Sequence, residues 1–302
     1  METKILILGA GFIGMSFIRK SLQFPARVVV LDRKPIPSDL VGKVSWITGD
    51  FRDLTALSRA LKDVDTVFHF ISSTVPGDQM NIALEVEQNI FQTLQLLDAC
   101  VSMSVRQIIF TSSASVYGIH TQLPIAEDDS TNPISAHGIH KLMIEKYLLL
   151  YKHVHGLQCK ILRLSNPYGI GQNIDGRQGF IAIAIGKILK QQPVFLRGDG
   201  STVRDFVGID DVCEAIRLAA TVLNEHDLFN VGSGHGISLT QVVNLLENLV
   251  GRQIPVVYTE TRSIDIPQSV LDISRATKAL GFVPKSSLEL GLEQTIRFYS
   301  LM

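Results

Sequence analysis

The sequence predicts an α/β fold: a doubly wound parallel sheet with a smaller C-terminal domain beside it. Three observations carry this. Short, wholly apolar runs alternate with helical patterns through the first 165 residues. A glycine-rich turn joins the first run to the first helical pattern. After Leu164 the alternation loosens into loops marked by glycine and proline. Strands buried on both faces read as continuous apolar runs, and regular strand–helix alternation implies parallel pairing.

Each element follows in turn. Lys4–Leu8 is apolar and branched beyond its first residue, the pattern of a buried strand. After the glycine turn, Met15–Leu22 reads as a helix. Arg27–Leu31 and Val44–Thr48 are the second and third strands, Leu54–Leu61 a helix, and Thr66–Phe70 the fourth strand. A helix over Glu85–Cys100 leads to the fifth strand, Gln107–Thr111. A helix from His137 to His155 precedes a sixth strand, Lys160–Leu164. Beyond it, Gly169, Gly171 and Gly176 mark loops, Arg197–Gly200 a turn, and Phe180–Lys190 and Leu239–Val250 helices. Residues 1–165 are expected to form the sheet domain, with 205–232 returning to it. Residues 166–302 are expected to cap the sheet's carboxyl edge, where open α/β sheets bind ligands.

The run Tyr147-Leu148-Leu149-Leu150-Tyr151 covers the whole circumference of its helix. A second layer or a partner must cover it, and a homodimer through helices 85–100 and 137–155 is the expectation. With 28 Lys+Arg against 29 Asp+Glu and no basic run, neither nucleic acid nor an anionic membrane is an expected partner. Cys100, Cys159 and Cys213 are far apart, with no CxxC pair, so reduced thiols and a cytoplasmic location are expected. The N-terminal run breaks at Gly9, too early for a secretory leader, and no apolar stretch is long enough to span a membrane.

Gly9-Ala10-Gly11-Phe12-Ile13-Gly14 is GxGxxG between a strand and a helix, the context of a dinucleotide-binding Rossmann turn. Gly9 permits the turn, Gly11 lets a pyrophosphate approach the backbone, and Gly14 lets the helix pack on the strand. Asp32 ends the second strand, placed to accept both ribose hydroxyls and to repel a 2′-phosphate. That favours NAD, while Arg33 and Lys34 beside it are able to accept a phosphate.

From these motifs onward the chain resembles the extended short-chain dehydrogenase/reductases, in their nucleotide-sugar epimerase and dehydratase branch. The likeness runs through Gly49-Asp50-Phe51-Arg52-Asp53, Thr111–Gly118 (TSSASVYG), Arg163–Gly169, Gly198-Asp199-Gly200 with Arg204-Asp205-Phe206, Phe229–Gly234 and Leu280–Pro284. The resemblance implies an NAD-dependent enzyme that oxidises a UDP-linked sugar at carbon 4 and returns the hydride to the other face of a 4-keto intermediate. It implies that Asp50, with Phe51, contacts adenine and that Ser113 bonds the reacting hydroxyl. Lys141 serves both cofactor and catalysis, and Ser73, Asn166, Arg204 and Arg262 hold the nucleotide sugar. Arginine suits a diphosphate because its fork pairs phosphate oxygens bidentately. Ser113-Ala114-Ser115 lacks the paired acids of the dehydratases, which leaves epimerisation or another 4-oxidising chemistry such as a reductase.

One departure is central. Where the family carries the tyrosine of Tyr-x-x-x-Lys, this chain has His137, four residues before Lys141. Histidine has an ordinary pKa near 6.5, so a neutral imidazole is available as a base at pH 7, though its reach is shorter than a phenol's. Three readings are open: a working base in an altered site, a binding site that has lost turnover, or a replacement that traps a ligand. His137 and His140 are three apart, but no third metal ligand is evident. Ile71, in Phe70-Ile71-Ser72, adds bulk where nicotinamide is expected.

Overall fold

The computed structural model describes residues 3–72 and 81–301. In chain order, β1 (Thr3–Leu8), α1 (Phe12–Ser21), β2 (Ala26–Asp32), β3 (Ser45–Thr48), α2 (Leu54–Leu61) and β4 (Thr66–His69) form the first half of the central sheet and its cover. Then come α3 (Ile82–Val86), a π-helical turn (Glu87–Phe91), α4 (Gln92–Ser102), β5 (Gln107–Ser113), α5 (Ala136–His155) and β6 (Gln158–Leu164). The remainder is β7 (Asn166–Tyr168), α6 (Phe180–Leu189), β8 (Val194–Arg197), β9 (Val203–Gly208), α7 (Ile209–Thr221), β10 (Leu228–Val231), β11 (Gly236–Ser238), α8 (Leu239–Val250), β12 (Val256–Thr259), β13 (Gln268–Ser269), α9 (Ser274–Leu280) and α10 (Leu288–Ser300).

Seven strands make one sheet in the order β3-β2-β1-β4-β5-β6-β10, every pair parallel. The α/β, Rossmann-type expectation therefore holds. The continuous apolar runs have their cause in the pleat. Ile5 and Ile7 face one core with Phe17, Val212 and Ile216, while Leu6 and Leu8 face the other with Leu57, Leu96 and Leu148. Strand order reverses between β1 and β4, so a crevice opens at their carboxyl ends.

The other strands lie outside this sheet. β9 pairs with β7 and β13 in parallel and with β11 antiparallel, and β8 pairs with β12. A third core, with Ile181, Ile185, Leu196, Phe206, Val242, Leu246 and Leu292, holds α6, α8 and α10 against them. The chain returns to the central sheet through β10, which pairs with β6.

Two elements differ from their sequence patterns. The helix expected over Glu85–Cys100 starts three residues early and contains the π turn. Side chains enter its hydrogen-bond ladder there: Asn89 Nδ2 donates to the Glu85 carbonyl at 2.8 Å and Thr93 Oγ1 to the Asn89 carbonyl at 2.5 Å. In α5, Leu148 is buried whereas Leu150 is 49% exposed, so this chain alone covers only part of the apolar girdle.

α5 carries two of the expected catalytic residues, and a buried polar network fixes it. Glu145 pairs with Arg163 of β6, Nη2 to Oε2 at 2.7 Å, and also accepts the Ser112 hydroxyl. The Arg163 guanidinium lies 4.6 Å from the Tyr117 ring centroid. Tyr117 donates to Asn230 Oδ1 at 2.6 Å. Losing one partner of such a buried pair costs about 3–5 kcal/mol.

Candidate active site

The glycine turn sits at the mouth of the crevice. Gly9 adopts φ +91, and a Cβ on it would meet Ile71 Cγ1 at 2.8 Å. A Cβ on Gly14 would lie 1.9 Å from the Gly9 carbonyl oxygen, so α1 closes directly onto the turn. Around Gly11 there is open space within 4 Å of the same construction. Phe12 and Ile13 form the first turn of α1, and Gly11 offers no side chain to cap it. First-turn N–H groups lack intrahelical partners and favour an anion, so an open backbone face over a helix N-terminus fits a pyrophosphate.

Asp32, at the end of β2, is held by backbone. Its Oδ2 accepts from Ala10 N at 2.6 Å and its Oδ1 from Lys34 N at 2.8 Å. The pinned carboxylate keeps further acceptor capacity on both oxygens, which fits a ribose diol. Arg33 and Lys34 are exposed beside it. Asp50 is gripped by Arg52, Nη2 to Oδ2 at 2.7 Å, and this hydrogen bond holds its carboxyl below the usual range. The Phe51 ring is buried, 6.0 Å from the His69 ring. These residues fit an adenine dinucleotide, with Gly9, Gly11 and Gly14 shaping the turn.

Ser113 is the last residue of β5, at the same carboxyl edge. Its hydroxyl caps the following turn, accepting from Ser115 N at 3.2 Å and from Ser115 Oγ at 2.9 Å. α5 begins beside it: Ser135 accepts from Gly138 N at 3.2 Å, and a Cβ on Gly138 would meet the Ser115 carbonyl at 2.5 Å. His137, buried, therefore enters the site at the first turn of α5, one helical turn before Lys141. Lys141 is buried as well. Its Nζ donates to the Thr111 carbonyl at 2.8 Å and lies 4.5 Å from the Phe110 ring centroid. Burial pushes its pKa down to about 8, against the opposing pull of Glu145. The structure thus brings Ser113, His137 and Lys141 to one strand end, next to the glycine turn across β4.

The other expected ligand residues are less open. Asn166 spends its amide on the Asp205 carbonyl at 3.0 Å. Arg204, on β9, donates Nη1 to the Val203 carbonyl at 2.8 Å, and burial lowers its pKa. Arg262 pairs with Asp265, Nη2 to Oδ1 at 2.7 Å, while its backbone N donates to the other carboxylate oxygen at 2.8 Å. Ser73 lies outside the described residues.

Sequence reasoning missed three features. Ser115 bonds Ser113, and the Ser-x-Ser spacing was the available signal. Asp265 holds Arg262, at helix-like spacing in a segment with no helical pattern. Glu85 and His140, both buried, face each other across α3 and α5 at 3.7 Å, a pairing that no local pattern encodes. Among the described residues, no cluster of three His, Cys, Asp or Glu is arranged to hold a metal ion. No helix there is long and apolar enough to cross a membrane.

The model of the NAD dependent epimerase/dehydratase family matches residues 5–232. A UDP-glucose 4-epimerase of Azospirillum brasilense is 32% identical, over 92% of this chain and 86% of its own. The crystal structure of a Thermotoga maritima UDP-glucose 4-epimerase with UDP-glucose superposes with a TM-score of 0.93 at 31% identity, covering 99% of each chain. A Bacillus cereus UDP-glucuronic acid 4-epimerase, in complex with UDP-glucuronic acid and NAD, gives 0.89 at 28% identity, again covering 99% of each.

Proposed function

From the premise that this chain belongs to the NAD dependent epimerase/dehydratase family, we propose that it epimerises a UDP-linked hexose or hexuronate at carbon 4 through a transient 4-keto sugar. The reading rests above all on the meeting of Ser113, His137 and Lys141 at the end of β5, beside the open glycine turn.

When bound, NAD would supply reversible hydride-accepting chemistry at carbon 4. The chain's own residues do the rest. Gly11, Phe12 and Ile13 receive the pyrophosphate, Asp32 the ribose and Asp50 the adenine. Asn166, Arg204 and Arg262 hold the diphosphate, Asp265 presenting Arg262 in a fixed direction. His137 takes the O4 proton as the ketone forms and returns it as the alcohol is restored. Lys141, a buried cation, favours the developing negative charge on O4 and bonds a ribose hydroxyl. Between the two hydride transfers the keto sugar turns over in the site, and Ser113 holds O4 before and after that turn.

The test is to incubate the NAD-loaded protein with UDP-hexoses and UDP-uronates and follow the C4 epimer by NMR. Epimer from at least one is expected; bound NAD with no epimer from any overturns the reading. His137 favours a second reading, a site that binds without turnover. It predicts that His137→Tyr creates activity where there was none. The first reading predicts that His137→Ala lowers an existing rate by about 10²–10⁴-fold. The exposed apolar residues of α3, the π turn and α5, Ile82, Phe91, Leu150 and Val154, support a homodimer through helices 85–100 and 137–155.

A further inference from the structure

Ser113 is half-buried, and its bonding pattern restricts what it is able to do. A hydroxyl has one proton to donate and two lone pairs to accept with. The backbone N–H of Ser115 takes one lone pair of Ser113 Oγ at 3.2 Å, and the Ser115 hydroxyl stands 2.9 Å from the same oxygen; once Ser113 turns its proton to the substrate, Ser115 must be the donor and both lone pairs are taken. What Ser113 has left is its proton.

From this we infer that Ser115 is a positioning residue that makes Ser113 a one-way donor to the substrate oxygen. The inference deepens the function proposed above and rests on it. The framework enforces the arrangement before any substrate arrives. Ser113 and Ser115 are joined by the 3₁₀ turn Ala114–Val116, whose Ala114 and Val116 are buried, and Tyr117 after it is wholly buried. The Ser115 carbonyl is packed against Gly138 at the start of α5. The Ser115 backbone N–H cannot leave Ser113 without moving the turn, and the hydroxyl is held there by its 2.9 Å contact.

Two consequences follow for the chemistry. A Ser113 with no acceptor capacity cannot receive the O4 proton, so that proton leaves to His137 and the two residues are not interchangeable. A hydroxyl that only donates also serves both states of the sugar. It bonds O4 of the alcohol, and it bonds the same oxygen as a ketone, because each keeps a lone pair for it. Ser113 therefore makes the same contact before and after the ketone turns over, without reorienting itself.

The experiment uses the NAD-loaded protein and two readouts: epimerisation of the sugar turned over fastest, and calorimetric affinity for UDP-glucose against its 4-deoxy analogue. Ser115→Ala is expected to lower kcat about 10-fold, the worth of one well-placed hydrogen bond, with KM within about twofold. It should also weaken the preference for UDP-glucose over the 4-deoxy analogue, as Ser113→Ala should. Ser115→Thr, which keeps the O–H, should restore both readouts, while Ser115→Val, of the same shape without it, should not. In a Ser113→Ala background the loss from Ser115→Ala should vanish. The inference is overturned if Ser115→Ala behaves as wild type in both readouts, if Thr and Val are equivalent, or if the losses of Ser113 and Ser115 simply add. A wild type that binds UDP-glucose but epimerises nothing defeats the function proposed above and not this inference, which the analogue affinities then decide. A wild type that binds no UDP-sugar defeats both.

Discussion

Lys141 and His69 show how single buried groups tie the site to stability. Burial lowers the Lys141 pKa to about 8, from an ordinary value near 10.5. At pH 7 both the folded and the unfolded chain are protonated there, so the fold carries the full cost of a buried cation, about 3 kcal/mol. The cost fades as pH rises from about 8 to 10.5. Lys141→Met should therefore raise unfolding free energy at pH 7 by up to about 3 kcal/mol, less what the Thr111 bond contributes, while abolishing epimerisation. Urea unfolding at pH 7 checks the first half and the NMR assay the second. His69 works in the acid range. Burial first, and the Lys141 charge second, push its pKa down to about 3. The native ring refuses a proton that the unfolded chain takes below about pH 6.5, so this stability is intact above 6.5 and lost on acidification. Between pH 6.5 and 5 the loss is about 2 kcal/mol. His69→Phe keeps a ring beside Phe51 and Phe110 and should flatten urea-unfolding stability over that interval by the same amount. At this scale the sequence was most legible where function depends on local spacing. The glycines of the turn and Asp32 could be named from position along a strand and a helix, whereas His137 and Lys141 were named through the resemblance to a family motif of that spacing. The Ser113–Ser115 bond and the grip of Asp265 on Arg262 depend on backbone angles in short turns, which residue identity alone does not set.

The element that matters most is α5, and its placement depends on one missing side chain. A Cβ on Gly138 would meet the Ser115 carbonyl at 2.5 Å and the Pro133 Cβ at 2.9 Å, both in rigid surroundings. Gly138→Ala should push the first turn of α5 away from β5, carrying His137 with it. We expect a loss of about 1–3 kcal/mol in thermal unfolding and, since a displacement of about 1 Å can cost about 10²-fold, a kcat lowered by about that factor with NAD still bound. The boundaries of α2 and α8 match their apolar periodicity, as expected for helices whose burial follows one face. The π turn before α4 was not legible. It adds one residue to a single turn, a change in phase that a hydrophobic pattern barely registers, and its causes are side-chain bonds from Asn89 and Thr93 into the backbone.

At the scale of the whole molecule, the parallel sheet was readable because burial on both faces leaves a mark in composition. The small sheets were not: β7, β11 and β13 are two or three residues long and pair far along the chain. The exposed apolar residues of α3, the π turn and α5 belong to this scale too. If two copies meet there, Phe91→Glu with Leu150→Arg should turn a dimer into a monomer in sedimentation experiments while leaving NAD content unchanged. A wild type that sediments as a monomer at micromolar concentration defeats the homodimer.

The position of β10 bears on how the chain is made. The sheet's last strand is supplied by residues 228–231, after β7, β8 and β9 have already been built elsewhere. Asn230 within it also receives Tyr117 and donates to the Ile125 and Asp272 carbonyls. During synthesis, a nascent chain that has emerged only to residue 165 holds six of the seven strands with β6 as a bare edge, the kind of surface that recruits stray strands. Some 65 further residues must leave the ribosome before that edge is sealed, so the first half of the protein waits on the second to finish its fold.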